Sequence, residues 1–89
     1  MRRLVLARRA QRDLDAIRDY IAQDNLRRAE SFLVELLSHI ELLLDFPFSY
    51  PVISRRGWRR AVHEAYVILF TVTDREVRVQ RVVHGATRR

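Results

Sequence analysis

Tyr66-Val67-Ile68-Leu69-Phe70-Thr71-Val72 is the stretch that decides the fold. Both parities of this run are apolar, and β-branched and aromatic side chains dominate it, which predicts a strand at the centre of a sheet. Thr73-Asp74-Arg75 follows as a turn. Beyond it Val77, Val79, Arg81 and Val83 alternate with Arg78, Gln80 and Val82, the period of a second strand. Upstream, Arg59 to His63 fits a third. Strands joined by such short turns form an antiparallel meander, and the meander needs something apolar against one face.

Two helices supply that cover. Leu26, Ala29, Phe32, Leu33, Leu36, Leu37, Ile40, Leu43 and Leu44 recur at spacings of three and four, predicting a helix of roughly 19 residues that Pro47 must stop. Ahead of it Ala10, Leu14, Ile17, Tyr20 and Ile21 mark an amphipathic helix from about Arg8 to near Gln23. Asp24-Asn25 between them suits a turn and an N-cap, with Asp24 four residues before Arg28. So short a link predicts an antiparallel helical hairpin. Arg3-Leu4-Val5-Leu6 reads as a short strand. The expected fold class is therefore α+β, in the order β-α-α-β-β-β, with the N-terminal strand and helical hairpin packed on a small, largely antiparallel sheet.

The expected core contains Leu14, Ile17, Ile21, Leu33, Leu36, Ile40, Ile68 and Phe70. Phe46-Pro47-Phe48-Ser49-Tyr50-Pro51 and Ser54-Arg55-Arg56-Gly57 continue neither helix and make one long connection. Its rings, Phe46, Phe48, Tyr50 and Trp58, are expected to close the open end between hairpin and sheet, because a small core recruits the large side chains near it. The competing reading makes them a partner-binding groove.

At 89 residues the chain is expected to be a single domain spanning 1–89. Hydrophobic residues at 48% and charged residues at 31%, with two Gly and two Pro, describe a foldable globular chain. The absence of cysteine excludes disulfides, thiolate zinc sites and Cys nucleophiles, and allows a reducing compartment. No apolar run approaches the ~20 residues that span a bilayer. The N-terminus breaks into Arg8-Arg9 before any signal-peptide apolar segment forms, so a cytoplasmic address is expected.

The net charge is +6, and all 17 basic residues are Arg, which removes any lysine base or Schiff base. Residues 1–45 hold eight Arg against eight acids; residues 46–89 hold nine Arg against three, so the whole excess lies in the second half. With Gly57 and Gly85 the only glycines, no dinucleotide-binding or phosphate-loop signature can be written. His39, His63 and His84 stand apart in the sequence, without His-x-His or His-Glu-x-x-His spacing, and neither a metal nor another cofactor is expected. Ser31, Ser38, Ser49 and Ser54 lack the context of a serine nucleophile.

What remains is arginine-rich: Arg55, Arg56, Arg59, Arg60, Arg75, Arg78 and Arg81, near His63, Glu64, Tyr66 and His84. One reading is a phosphodiester-cleaving site, with Arg stabilising the developing charge while His or Glu moves protons. Another is a basic surface that docks an acidic protein. A helix-turn-helix is disfavoured, because the second helix carries Glu30, Glu35, Glu41 and Asp45 against Arg27 and Arg28. A nucleic-acid-binding module that meets phosphates through sheet arginines stays open.

The assembled pattern resembles a known family. Ala10 with Asp13-Leu14, Ile17, Tyr20-Ile21-Ala22-x-Asp24-Asn25, an apolar second helix ending in Pro, Gly57 followed by Arg59 and Arg60, Tyr66 to Phe70, and the closing Arg81-Val82-Val83-His84-Gly85-Ala86 look like a ParE-type toxin over nearly the whole chain. The resemblance implies the RelE/ParE fold and a type II toxin-antitoxin pair with a ParD-like antitoxin. It also implies a non-enzymatic mechanism, inhibition of DNA gyrase by protein contact. An antitoxin with an acidic, otherwise disordered tail would suit the basic half, and DNA would be contacted through the toxin-antitoxin complex.

The same superfamily contains ribosome-dependent messenger RNA endonucleases of RelE type, and this is the alternative. Val67 stands where those enzymes commonly carry an Arg, Gly85 where a Tyr would follow His84, and no lysine exists. Arg81 and His84 would then be the catalytic candidates. For target or antitoxin binding the candidates are Trp58, Arg59, Arg60, Tyr66, Arg78, Arg81 and His84. Two positions depart from the ParE pattern: Ala7 replaces the usual Ser or Thr at the start of the first helix, and Thr87 precedes Arg88-Arg89 where an Arg usually follows Gly-Ala at once.

Overall fold

A computed structural model describes residues 1–85; Ala86, Thr87, Arg88 and Arg89, with the displaced closing arginines, lie outside the described residues. The elements are β1 (Arg3–Leu6), α1 (Arg8–Ala22), α2 (Leu26–Leu42), a 3-10 turn (Pro47–Ser49), β2 (Arg59–His63), β3 (Tyr66–Val72) and β4 (Glu76–His84). The order is the expected β-α-α-β-β-β. The sheet runs β1-β4-β3-β2, with β1 parallel to β4 and the other pairs antiparallel. The Tyr66–Val72 run is interior, as its two apolar faces predict.

Helix ends follow their side chains. Ala7 supplies no side-chain cap to α1, whereas Asn25 Oδ1 accepts the Arg28 N–H at 3.0 Å and starts α2. The i,i+4 spacing of Asp24 and Arg28 is not used, because Arg28 turns to Glu35 and Glu64 instead. The helix ends at Leu42, earlier than the Pro47 stop requires, and Pro47 opens the 3-10 turn.

The hairpin covers one face of the sheet. Ala10, Leu14 and Ile17 from α1 and Phe32, Leu36 and Ile40 from α2 meet Ala61, Ile68, Phe70, Val77, Val79 and Val82. Ile21 and Leu33 sit at the margin of this core rather than inside it. Tyr20, Leu26 and Leu37 belong to the apolar periodicity of the helices yet are 69%, 62% and 37% exposed. The two-layer arrangement leaves those helix flanks without a neighbour, so the stripe is narrower than the sequence spacing suggests.

Strand β4 departs from its sequence pattern. Strict alternation would put Arg81 and Val83 on the same face as Val77 and Val79. Leu69 instead pairs with Arg81 and Phe70 with Val79, so Gln80 is an extra residue in a β-bulge. Past that point the parity is reversed, and Val82 becomes the buried side chain at 2% exposure.

The expected aromatic closure is also corrected. Only Tyr50 packs on the core, edge-on to Phe70 with centroids 5.6 Å apart. Phe46 and Phe48 are exposed and Trp58 is half-buried. Phe48 lies under two guanidinium groups, those of Arg2 at 5.0 Å and Arg59 at 5.1 Å. Leu43, just past the end of α2, is fully buried in the core and Leu44 packs against it. Among the described residues no helix is long and apolar enough to cross a membrane.

Candidate functional site

Strand β1 pairs with β4 only from Glu76 to Val79, so the second half of β4 reaches a free edge. A bare edge leaves backbone donors without partners. Here α1 lies across it. Asp13, one residue before the core Leu14, accepts the Val82 N–H at 2.9 Å and the Arg81 Nε–H at 2.8 Å, and its other oxygen accepts from Arg81 Nη2 at 3.3 Å. Arg9 stands one helical turn away, 3.8 Å from the same carboxylate. The Asp13 side chain is 12% exposed. The hydrogen bond Arg81 donates to Asp13, helped by the carboxylate's charge and only partly opposed by burial, holds Arg81 protonated beyond its ordinary range.

Between α1 and this edge lies an open groove of about 270 Å³, lined among others by Asp13, Ile17, Tyr20, Tyr66, Arg81 and His84. Tyr66 forms its floor. Its ring tilts against Phe32 at 5.5 Å and meets His84 edge-on at 5.3 Å. Burial pushes the Tyr66 phenol up, and the neighbouring Tyr20 adds to the shift, so at neutral pH it is a hydroxyl donor rather than a phenolate base. Gly85 follows His84 and packs on the β2–β3 turn: its N–H donates to Ala65 O at 2.7 Å, and a Cβ there would sit 3.1 Å from that oxygen.

The seven binding candidates do not share one surface. Tyr66, Arg81 and His84 come together in the groove. Arg59 sits at the far end of the sheet, donating to Tyr50 O at 2.6 Å. Arg60, next to the buried Ala61, faces the uncovered side of the sheet and pairs in register with Leu69. Arg78 lies opposite Thr71 on that same side and is held by Glu76 at 2.8 Å. Trp58 is outside this group, with its N–H on Ser54 Oγ. Sequence reasoning passed over Asp13 as a site residue, because its partner is 68 positions away. The motif Asp13-Leu14 carried part of the ParE resemblance and was the available signal.

The histidines need correction too. His39 on α2 and His63 at the end of β2 are 24 residues apart in sequence, yet their Nδ1 atoms meet at 2.9 Å. Burial lowers the His39 pKa, and the second imidazole lowers it further.

A family model described as ParE toxin of type II toxin-antitoxin system, parDE, matches residues 4–89. The chain belongs to the ParE toxin family. Among solved structures, the fold of this ParE-family toxin matches one from the chromosomal ParDE toxin-antitoxin system of P. aeruginosa at TM-score 0.84 and 22% identity, covering 94% of this chain and 96% of that one. It is also similar to YafQ from E. coli strain BL21(DE3), at TM-score 0.66 and 14% identity, with 97% and 96% covered. At these identities the two structures speak for the fold, which both share with this ParE-family chain. No curated protein matches it.

Proposed function

We propose that this ParE-family toxin acts by binding DNA gyrase, and that a ParD-like antitoxin with an acidic tail neutralises it. The observation that carries the reading is the state of Arg81. A nuclease built in the groove would need a cation free to meet the charge developing on a phosphodiester. Arg81 is the groove's arginine, and Asp13 already holds it through two of its nitrogens. Breaking that pair inside a half-buried site would leave Asp13 with an unpaired charge. The hydroxyl of Tyr66, its pKa raised, is a poor general base at neutral pH. What the groove offers is an edge of paired charge and edge-on rings, suited to recognition.

The test uses the chain freed from antitoxin, in a gyrase supercoiling and DNA-cleavage assay beside an in vitro translation reaction. Blocked supercoiling or trapped cleavage with normal translation is the expected outcome. Messenger RNA cut on the ribosome with untouched gyrase would overturn the reading and make His84 and Arg81 catalytic candidates. For the antitoxin, the expected result is a complex whose formation restores supercoiling.

A further inference from the structure

On the opposite side of the hairpin from the groove, the end of β2 and the turn into β3 meet one face of α2. Glu35, His63 and Glu64 each offer one ligand atom, all within 4.8 Å of one another. His63 is the informative member. Its Nδ1 is engaged with His39 Nδ1 at 2.9 Å. Its Nε2 is fully buried and, among the described residues, has no hydrogen-bond partner, with the nearest carboxylate oxygen, Glu64 Oε2, at 3.9 Å. That distance is too long for a hydrogen bond. A zinc ion about 2.0–2.2 Å from each would draw the two atoms a few tenths of an ångström closer, to the roughly 3.3–3.6 Å of a tetrahedral pair.

The arrangement around His63 matches how imidazole ligands are held. A ligating histidine normally gives its other ring N–H to a fixed acceptor, which sets the tautomer and aims the free nitrogen. In the tautomer that metal binding requires, His63 donates its Nδ1–H to His39 Nδ1 and Nε2 carries the lone pair, with the Glu64 carboxylate its neighbour. Glu64 sits in the two-residue turn between His63 and Tyr66 with φ 53°, the left-handed conformation such hairpin turns require, and its carboxylate lies 3.9 Å from His63 Nε2.

We propose that Glu35, His63 and Glu64 bind a divalent transition cation of the zinc class, with His39 as the positioning residue behind His63. One imidazole and two carboxylates suit zinc better than magnesium, which prefers oxygen alone and keeps its water. Both carboxylates are about half exposed, so water completes the shell. The ion ties the helical layer to the sheet layer, since Glu35 comes from α2 and the other two ligands from the β2–β3 turn. Arg28 is its built-in competitor: Nη1 lies 3.0 Å from Glu35 and Nη2 3.6 Å from Glu64, and the guanidinium is braced over Phe32 at 5.2 Å. The cation therefore displaces a positive side chain.

The experiment is calorimetric titration of the untagged full chain with Zn²⁺, with Co²⁺ absorption as a spectroscopic check and Mg²⁺ as control. One saturable equivalent of Zn²⁺ is expected, with no heat from Mg²⁺ and intense visible Co²⁺ bands. Saturating Zn²⁺ should raise the melting temperature, by roughly 10–20 °C at a hundredfold excess over Kd. Glu64→Gln, at an exposed turn, should keep the fold and weaken Zn²⁺ at least tenfold. His63→Gln should do the same, and His39→Leu should weaken it roughly 10- to 100-fold. Arg28→Gln should tighten binding, which a purely structural Arg28 would not do. No saturable binding would overturn the proposal, as would a Zn²⁺ affinity that Glu64→Gln and His63→Gln both leave unchanged.

Discussion

Asp13 carries more of the structure than its place on an exposed-looking helix turn suggests. One carboxylate satisfies a backbone N–H on the edge of β4 that β1 leaves uncovered and pins the arginine beside it. Asp13→Ala leaves the Val82 N–H and Arg81 unpaired, and at about 1.5–3 kcal/mol per charged hydrogen bond the loss should reach ~2–4 kcal/mol. A circular-dichroism melt should show a fall of at least ~8 °C, and an unchanged melt would remove Asp13 from this role. Tyr66 gives a test with a defined sign. Its folded-state pKa is raised by burial and then by Tyr20, so the native state prefers the phenol. The stability this adds is complete below the ordinary value of about 10 and is lost as pH climbs through the raised one. Urea midpoints of the wild type should fall between about pH 9 and pH 11 more than those of Tyr66→Phe.

At the scale of elements, the strands and helices were readable because each has a period that burial enforces. The 3.6-residue stripe and the alternation of β4 up to Val79 both end in buried side chains. The bulge was not readable, because nothing in Val79-Gln80-Arg81-Val82 marks an extra residue; the parity reversal appears only in the register with β3. The same holds for the site. Tyr66, Arg81 and His84 were identified singly by charge and chemistry, but Asp13 and the His39–His63 contact join elements that sequence distance hides. The cap of α2 was readable, since Asn25 needs only its neighbour three residues on. Asn25→Ala should cost about 1 kcal/mol. Leu36, fully buried where α2 meets the sheet, should cost ~2–5 kcal/mol on conversion to Ala. Its conversion to Asp should abolish the cooperative transition. A cooperative melt in Leu36→Asp would contradict the packing of the hairpin.

For the whole molecule, the charge distribution and the layer order belong together. The excess of six positive charges falls in residues 46–89, the half that builds β2, β3 and β4. The hairpin covers one face of that sheet, which leaves Arg60 and Arg78 on the uncovered face beside Leu69 and Thr71. Glu76 neutralises Arg78 locally, so the positive potential of this half rests on its excess of arginine over acid rather than on that pair. A partner with an acidic disordered segment would be drawn to it before any contact forms. If the proposed antitoxin carries such a tail, its association rate should fall steeply as salt rises from about 0.05 M to 0.5 M, while the dissociation rate changes little. Arg60→Gln with Arg78→Gln should flatten that salt dependence and slow association several-fold without lowering the melting temperature by more than a few degrees. Stopped-flow association at several ionic strengths would measure both. An association rate indifferent to salt in the wild type would mean that the open sheet face does not steer the antitoxin, and that the groove beside Asp13 is the place to look for its first contact.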